Sequence, residues 1–132
     1  MLTENQIVEI ETEVQLAATA HLNAKDAETA LSHFTDDVVA VSNTTLFSSR
    51  ESLATDIHDY YKILKEVNHA AWEDVHVHVI SERAATFTAR FRYGFTSIDE
   101  ETVNLRGVWT ALFELDQDAW RIRLRHESFE QL

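Results

Sequence analysis

Four groups of side chains in this sequence have types and spacings that can do chemistry. The first closes the stretch Trp120-Arg121-Ile122-Arg123-Leu124-Arg125-His126-Glu127-Ser128, where Trp120, Ile122, Leu124, His126 and Ser128 share one side of an extended chain. An apolar series that ends in an imidazole and a hydroxyl reads as a core face finishing at a pocket floor. A histidine there, with a pKa near neutrality, is suited to general base work, which makes His126 the catalytic candidate. The second group is Tyr60, Tyr93 and Trp109, directed inward by their periodicity, whose OH and NH groups need partners when buried and so can orient a ligand. The third is His76 and His78, two apart on one strand face, the spacing of a metal pair. Val75, Val77 and Val79 claim the core there and send both imidazoles outward without a nameable third ligand, so no metal site is expected. The fourth is Asp36-Asp37 at a helix–strand junction, where a buried carboxylate could act as a base but turn chemistry is the plainer reading.

These groups depend on elements that the local patterns predict. Thr3-Glu4-Asn5-Gln6 is a capping box, and Ile7, Ile10, Val14, Ala17 and His21 follow at helical spacing, so a first helix runs to about Asn23 with His21 pointing inward. Asp26 caps a short second helix with Ala27, Ala30, Leu31 and Phe34 on its buried side. Val38-Val39-Ala40-Val41-Ser42 reads as a strand and Asn43-Thr44-Thr45 as a turn. Ser48 and Ser49, with Glu51 and Ser52 three residues on, start a third helix whose stripe is Leu53, Ile57, Tyr60 and Leu64.

From residue 70 the period is two. Val75, Val77 and Val79 form one series, Ala85, Phe87, Ala89, Phe91 and Tyr93 the next, then Val103 through Leu115, and last the strand from Trp120. Short polar links at Ser81-Glu82-Arg83, Asp99-Glu100-Glu101 and Asp116-Gln117-Asp118 make these hairpin-connected antiparallel strands. Helices followed by a meander give an α+β layout with three N-terminal helices on one face of the sheet. Gly107 inside a strand predicts a bulge or bend, and a strongly curved sheet facing helices makes a cone with an internal pocket.

Composition narrows the field. A chain of 132 residues, 45% apolar and 26% charged, is expected to form a single domain over residues 1–132. There is no cysteine, which removes disulfides, thiol catalysis and thiolate metal sites. No apolar run approaches the roughly 20 residues that span a bilayer, and the polar start Met1-Leu2-Thr3-Glu4 is unlike a signal peptide, so a cytoplasmic location is expected. A net charge of −12 speaks against nucleic acid and anionic membranes. Six of the eight arginines, Arg90, Arg92, Arg106, Arg121, Arg123 and Arg125, fall in the strand region. With Trp72, Val108 and Leu112 they are expected on the outer sheet face, a composition suited to a homodimer interface.

Two regions carry a family resemblance. Leu22-Asn23-Ala24-Lys25-Asp26-Ala27 followed by Leu31-Ser32-His33-Phe34-Thr35-Asp36-Asp37-Val38-Val39 resembles the opening of SnoaL-like, ketosteroid-isomerase-like domains. Ser49-Arg50-Glu51-Ser52-Leu53 is similar to their Gly-Arg-Glu-Ala-Ile entry to the third helix, and Trp120-Arg121-Ile122 with His126 and Ser128 to their closing Trp-x-Ile…His-x-Ser strand. The resemblance covers nearly the whole chain. It implies the cystatin-like cone of the nuclear transport factor 2-like superfamily, commonly dimeric, whose members include isomerases, cyclases, dehydratases and assembly domains. In ketosteroid isomerases the general-base Asp matches Ser42 here and the oxyanion-hole Tyr matches Ala18, so the resemblance does not imply steroid isomerisation by that pair.

The function expected from these readings is binding of a small, largely apolar molecule in a pocket formed by Ser42, Tyr60, Phe87, Phe91, Tyr93, Trp109 and Ser128. His126 would support acid–base chemistry of isomerase, cyclase or dehydratase type, with no cofactor. The competing expectation is a non-enzymatic dimeric ligand carrier or assembly module whose cone is filled by its own side chains.

Overall fold

Helix α1 (Glu4–Leu22) begins at its cap: the Thr3 hydroxyl accepts from the Gln6 amide at 3.1 Å, while the Gln6 side chain takes the Thr3 amide at 2.8 Å. The computed structural model describes all of Met1–Leu132. Asp26 caps α2 (Ala27–Ser32) by accepting from the Thr29 amide at 2.7 Å. Ser49 and Ser52 form a second capping box at α3 (Arg50–Ile63). No helix is long and apolar enough to cross a membrane.

The strands are β1 (Phe34–Ser42), β2 (Thr45–Phe47), β3 (Leu64–Ser81), β4 (Ala84–Ser97), β5 (Thr102–Asp116) and β6 (Ala119–Gln131). They make one six-stranded mixed sheet in the order β2-β1-β6-β5-β4-β3. β1 runs parallel to β6, and every other pair is antiparallel. The α+β layout with three helices is therefore as the periodicity predicts. Three boundaries differ. Phe34 starts β1 rather than ending α2, the short β2 stands where a turn runs on, and β3 starts at Leu64 straight from α3. Residues Lys65, Glu66, Val67, Asn68 and His69 are all exposed, so that part of β3 has no burial alternation to reveal it.

The sheet is open, with β2 and β3 as unpaired edges, and it is not strongly curled, which corrects the expected cone. The physical reason lies at Gly107, the position read as a bend. The ladders to β4 and β6 run in register through it, opposite Phe91 and Phe129. Glycine is required there by crowding instead. A Cβ would overlap the Ser128 carbonyl oxygen and come within 2.8 Å of Phe91 Cε1 and Phe129 Cβ.

One face of the sheet is covered by the helices. Val14 and Ala18 of α1 and Leu53 of α3 pack with Phe34, Val38, Ala40, Phe87, Ala89, Trp109, Ala111, Phe113 and Ile122. Trp120 Nε1 donates to Glu13 Oε2 at 2.8 Å and ties α1 to β6. Which residues face the helices is set by two breaks in register. In β3 the ladder shifts between Glu73 and His76, with Asp74 at φ 52°. Before the break Trp72 packs into the core; after it Val77 and Val79 do, and Val75 is left exposed. Trp72, expected on the outer face, is thus an inner residue. In β6 Ile122 pairs with Phe113 and Leu124 with Leu112, so Arg123 is skipped as a bulge.

The crowding at Gly107 has a measurable consequence. Gly107→Ala is expected to lower stability by about 1–3 kcal/mol, read as a fall in the denaturation midpoint, because neither backbone nor ring can yield freely. An unchanged midpoint would show that the strand relaxes around the methyl group.

Candidate functional site

The bulge at Arg123 reverses the faces of the rest of β6. Residues opposite each other in an antiparallel pair share a face, and Arg125 and Glu127 stand opposite Ala111 and Trp109, whereas His126 and Ser128 stand opposite Thr110 and Val108. Ala111 and Trp109 are core residues. Hence His126 and Ser128 are exposed on the open face, away from the helices. This corrects their placement on a pocket floor: the unbroken alternation in sequence crosses a bulge that shifts it by one. Ser128 lines an open depression of about 550 Å³ with Asn43, Arg90, Arg106 and Gly107. Arg90, Arg92 and Arg106 are on the open face as expected, paired with Asp74, Glu73 and Glu130. Arg125 is not.

The other expected pocket residues fall into two aromatic groups. Phe87, Phe91 and Trp109 are core residues and pack with Trp72, whose ring centroid is 5.1 Å from those of Phe87 and Trp109. Tyr60 and Tyr93 meet through their hydroxyls at 2.6 Å, beside Phe95 and Tyr61. Burial pushes the acidity of both hydroxyls up, so each stays protonated and the pair keeps one proton free to donate. Tyr61 is held apart, donating to the Ala24 carbonyl at 2.8 Å, and burial pushes its pKa up to about 12. Asp36 and Asp37 are exposed, and Asp37 serves as a corner, pairing with Arg123 at 3.3 Å and accepting from Thr35 at 2.9 Å. His76 is exposed and bound to Asp74 at 2.9 Å, and no cluster of three or more ligand-type side chains could hold a metal.

The interior polar residues are others. Arg125 is 6% exposed, with small neighbours Ala111 on β5 and Ala40 on β1 making room for its guanidinium. Its NH2 donates to Ser42 Oγ at 2.8 Å, and the Ser42 hydroxyl donates to Glu127 Oε2 at 2.7 Å. The parallel register that places Ser42 beside Glu127 builds this chain. Arg125 Nε lies 3.8 Å from Glu127 Oε1, too far for a hydrogen bond, and it has no other partner; Trp72 Nε1 is likewise buried without one.

On the helix side, His21 near the end of α1 and His33 after α2 share a hydrogen bond, Nδ1 to Nδ1, at 3.0 Å. His21 keeps some exposed surface, yet its ring is walled by His33, Phe34 and Trp109. Burial, then the neighbouring His33 and Arg125, lower its pKa from 6.5 to about 3. Burial and Arg121 lower that of His33. Both imidazoles are therefore neutral near pH 7, with one N–H lying between them. The arrangement supplies a buried cation, neutral donors and a carboxylate around an aromatic wall, which suits holding an oxygen acceptor and moving a proton.

Of these residues, the helical stripe of α1 pointed to His21. Alternation alone places Arg125, Glu127 and Trp72 on the outer face, because a bulge leaves no mark in an alternating pattern. His33 lies on no periodic stripe that would point it inward.

Residues 12–130 match the family model described as a SnoaL-like domain. No match is found by sequence among curated proteins. In fold the chain is similar to a candidate scytalone dehydratase from Novosphingobium aromaticivorans DSM 12444, with TM-score 0.88 and 10% identity over 97% of this chain and 89% of that one. It is similar to a hexachlorocyclohexane dehydrochlorinase, with TM-score 0.76 and 12% identity over 98% and 93%. It is also similar to a ketosteroid isomerase-like protein from Erwinia carotovora atroseptica SCRI1043, with TM-score 0.75 and 17% identity over 89% and 94%. At these identities the likeness is one of fold.

The buried histidine sets a pH dependence. Unfolded, His21 binds a proton below about pH 6.5; folded, it resists until about pH 3. The unfolded state thus holds more protons between these values, so stability is full above pH 6.5 and falls as pH drops toward 3. His21→Gln is expected to flatten this part of the stability–pH curve measured by denaturant unfolding. An equally steep curve in the variant would assign the loss to other groups.

Proposed function

Because the chain belongs to the SnoaL-like domain family, within the nuclear transport factor 2-like superfamily, we propose that it takes a small, largely apolar molecule into a pocket between its helices and the covered sheet face and performs cofactor-independent acid–base chemistry on it. The observation that carries this reading is the buried Arg125 beside His21, with the orphaned donors Arg125 Nε and Trp72 Nε1. An unpartnered buried donor costs about 1–3 kcal/mol, which a ligand oxygen would relieve. Trp72, Phe87, Phe91 and Trp109 would then meet the apolar remainder of the molecule. Both orphan atoms are shut off from solvent, so a ligand reaches them only as the surrounding rings part. The fold likeness to a candidate dehydratase, a dehydrochlorinase and an isomerase-like protein supports chemistry of the elimination or isomerisation type.

One observation favours the second reading, a carrier or assembly module filled by its own side chains. The Trp72, Phe87, Trp109 and Phe113 rings already pack at centroid distances between 5.1 and 6.4 Å. The two readings separate by ligand-induced stabilisation. Wild type heated with a panel of small cyclic ketones, esters and acids is expected to gain melting temperature for some of them, and Arg125→Met to lose that gain. No gain with any compound would favour the self-filled module.

The open face of the sheet is proposed as a homodimer contact, since Val108 and Leu124 are 48% and 45% exposed there among the paired arginines. Light scattering at micromolar concentration is expected to give twice the 15.2 kDa chain mass, and Leu124→Glu to give the single mass. A wild-type monomer would remove this assignment.

A further inference from the structure

We infer that the depression on the open face of the sheet is a binding site for a small phosphate monoester, with Arg90, Arg92 and Arg106 holding the phosphate. It lies on the other side of the sheet from the interior pocket and rests on no part of the reading above.

The antiparallel ladders put two rows of side chains on this face. One runs Arg90, Val108, Ser128 across β4, β5 and β6, and the next runs Arg92, Arg106, Glu130. The Gly107 backbone passes between the rows, and all of these residues line the depression of about 550 Å³. A hollow of that size takes a small ligand. Arg92 and Arg106 stand directly opposite each other, with Arg90 two residues along from Arg92. Like charges opposite one another on neighbouring strands repel, so the cluster favours an anion between them. Glu73 and Glu130 also line the depression, and three arginines less two glutamates leave one positive charge there, on a chain of net charge −12.

How the carboxylates hold the arginines decides what stays free. Arg106 Nε donates to Glu130 Oε1 at 2.6 Å. Arg92 Nε lies 3.0 Å from Glu73 Oε1, and Arg90 Nε 3.7 Å from Asp74 Oδ2. Each contact is made through Nε, and the terminal nitrogens of all three make no hydrogen bond within the protein. A guanidinium engaged at Nε keeps the edge between its two terminal nitrogens for a second, two-pronged acceptor. All three side chains are more than half exposed, so those edges are reachable. Two neutral donors join them. Asn43 Oδ1 accepts from the Phe129 amide at 2.9 Å, which leaves the Asn43 side-chain NH2 free, and the Ser128 hydroxyl also lines the depression.

This donor set selects among anions. A carboxylate has two acceptor oxygens, which a single guanidinium edge satisfies. A phosphate monoester has three terminal oxygens and close to two negative charges at pH 7, enough to engage several arginines at once. Val108 and Phe129 line the same depression and give the organic group of the ester an apolar rest. A nucleic acid strand fits less well, because its many phosphates meet the field of a strongly acidic chain, whereas one phosphate pairs at contact distance.

The test titrates phenyl phosphate into the protein at low salt by calorimetry, with benzoate as the comparator. Wild type is expected to bind phenyl phosphate about tenfold or more tightly than benzoate, and Arg92→Met and Arg106→Met each to weaken it by about tenfold. Arg92→Lys, which keeps the charge but not the fork, is expected to fall between wild type and Arg92→Met. Three variants are expected to bind as wild type does: Lys25→Met, which removes the same charge in the exposed link between α1 and α2, Arg125→Met in the interior, and Leu124→Glu on the open face. Equal binding of benzoate would overturn the phosphate class. Binding by Arg92→Met and Arg106→Met within about threefold of wild type would overturn the site, as would an equal loss in Lys25→Met, which would assign binding to the overall charge. Loss in Arg125→Met alone would move the probe to the interior pocket and overturn this inference while supporting that reading. Loss in Leu124→Glu would overturn the assignment of the site to a single chain. No binding by wild type at about 10 mM phenyl phosphate would overturn the inference and leave the interior pocket untouched.

Discussion

Between Ile122 and Leu124 the ladder from β6 to β5 passes over Arg123, and strand side chains alternate, so every later residue of β6 changes face. Trp120 and Ile122 complete the core before the break. After it, Arg125 and Glu127 enter the interior, and Leu124, His126 and Ser128 leave it. A regular strand would have buried a leucine and a histidine in their place. The polar character of this part of the interior and the chain from Arg125 through Ser42 to Glu127 depend on that one skipped residue.

Burying Arg125 is costly, and the surroundings offset only part of the cost. Small residues at Ala40 and Ala111 give it space, Ser42 accepts one of its protons, and Glu127 stands close without a direct hydrogen bond. Such pairs rarely add net stability compared with an apolar packing of equal volume. A core built only for stability would fill this region with apolar side chains, as β4 does with Ala85, Phe87 and Ala89. The His21–His33 pair points the same way. Two imidazoles sharing one proton give up charge near neutrality and keep a donor and an acceptor in a largely aromatic setting.

The two faces of the sheet therefore do different work. The covered face mixes aromatic rings with a few polar groups that lack full sets of partners. The open face is a lattice of charge pairs, Arg90 with Asp74, Arg92 with Glu73 and Arg106 with Glu130, spaced by exposed apolar residues. The fold recurs in proteins of quite different description at 10–17% identity, so it does not by itself fix a chemistry.

The amino-acid sequence by itself determined the helices, their caps and the meander, because capping boxes at Thr3 and Ser49 and periods near 3.6 and 2 are local signals. It also determined that His21, Tyr60, Phe87 and Trp109 belong inside, since each lies on an unbroken stripe. Alternation fixes relative orientation within a strand only as far as the strand is regular. Where β3 breaks near Asp74 and β6 at Arg123, the choice of face passes to the neighbouring strands, whose pairing decides which residues stand opposite Phe87, Trp109 and Ala111. Tertiary structure alone therefore decided that Trp72, Arg125 and Glu127 lie within and His126 without, because a one-residue slip exchanges the two faces of a strand while leaving its sequence pattern intact.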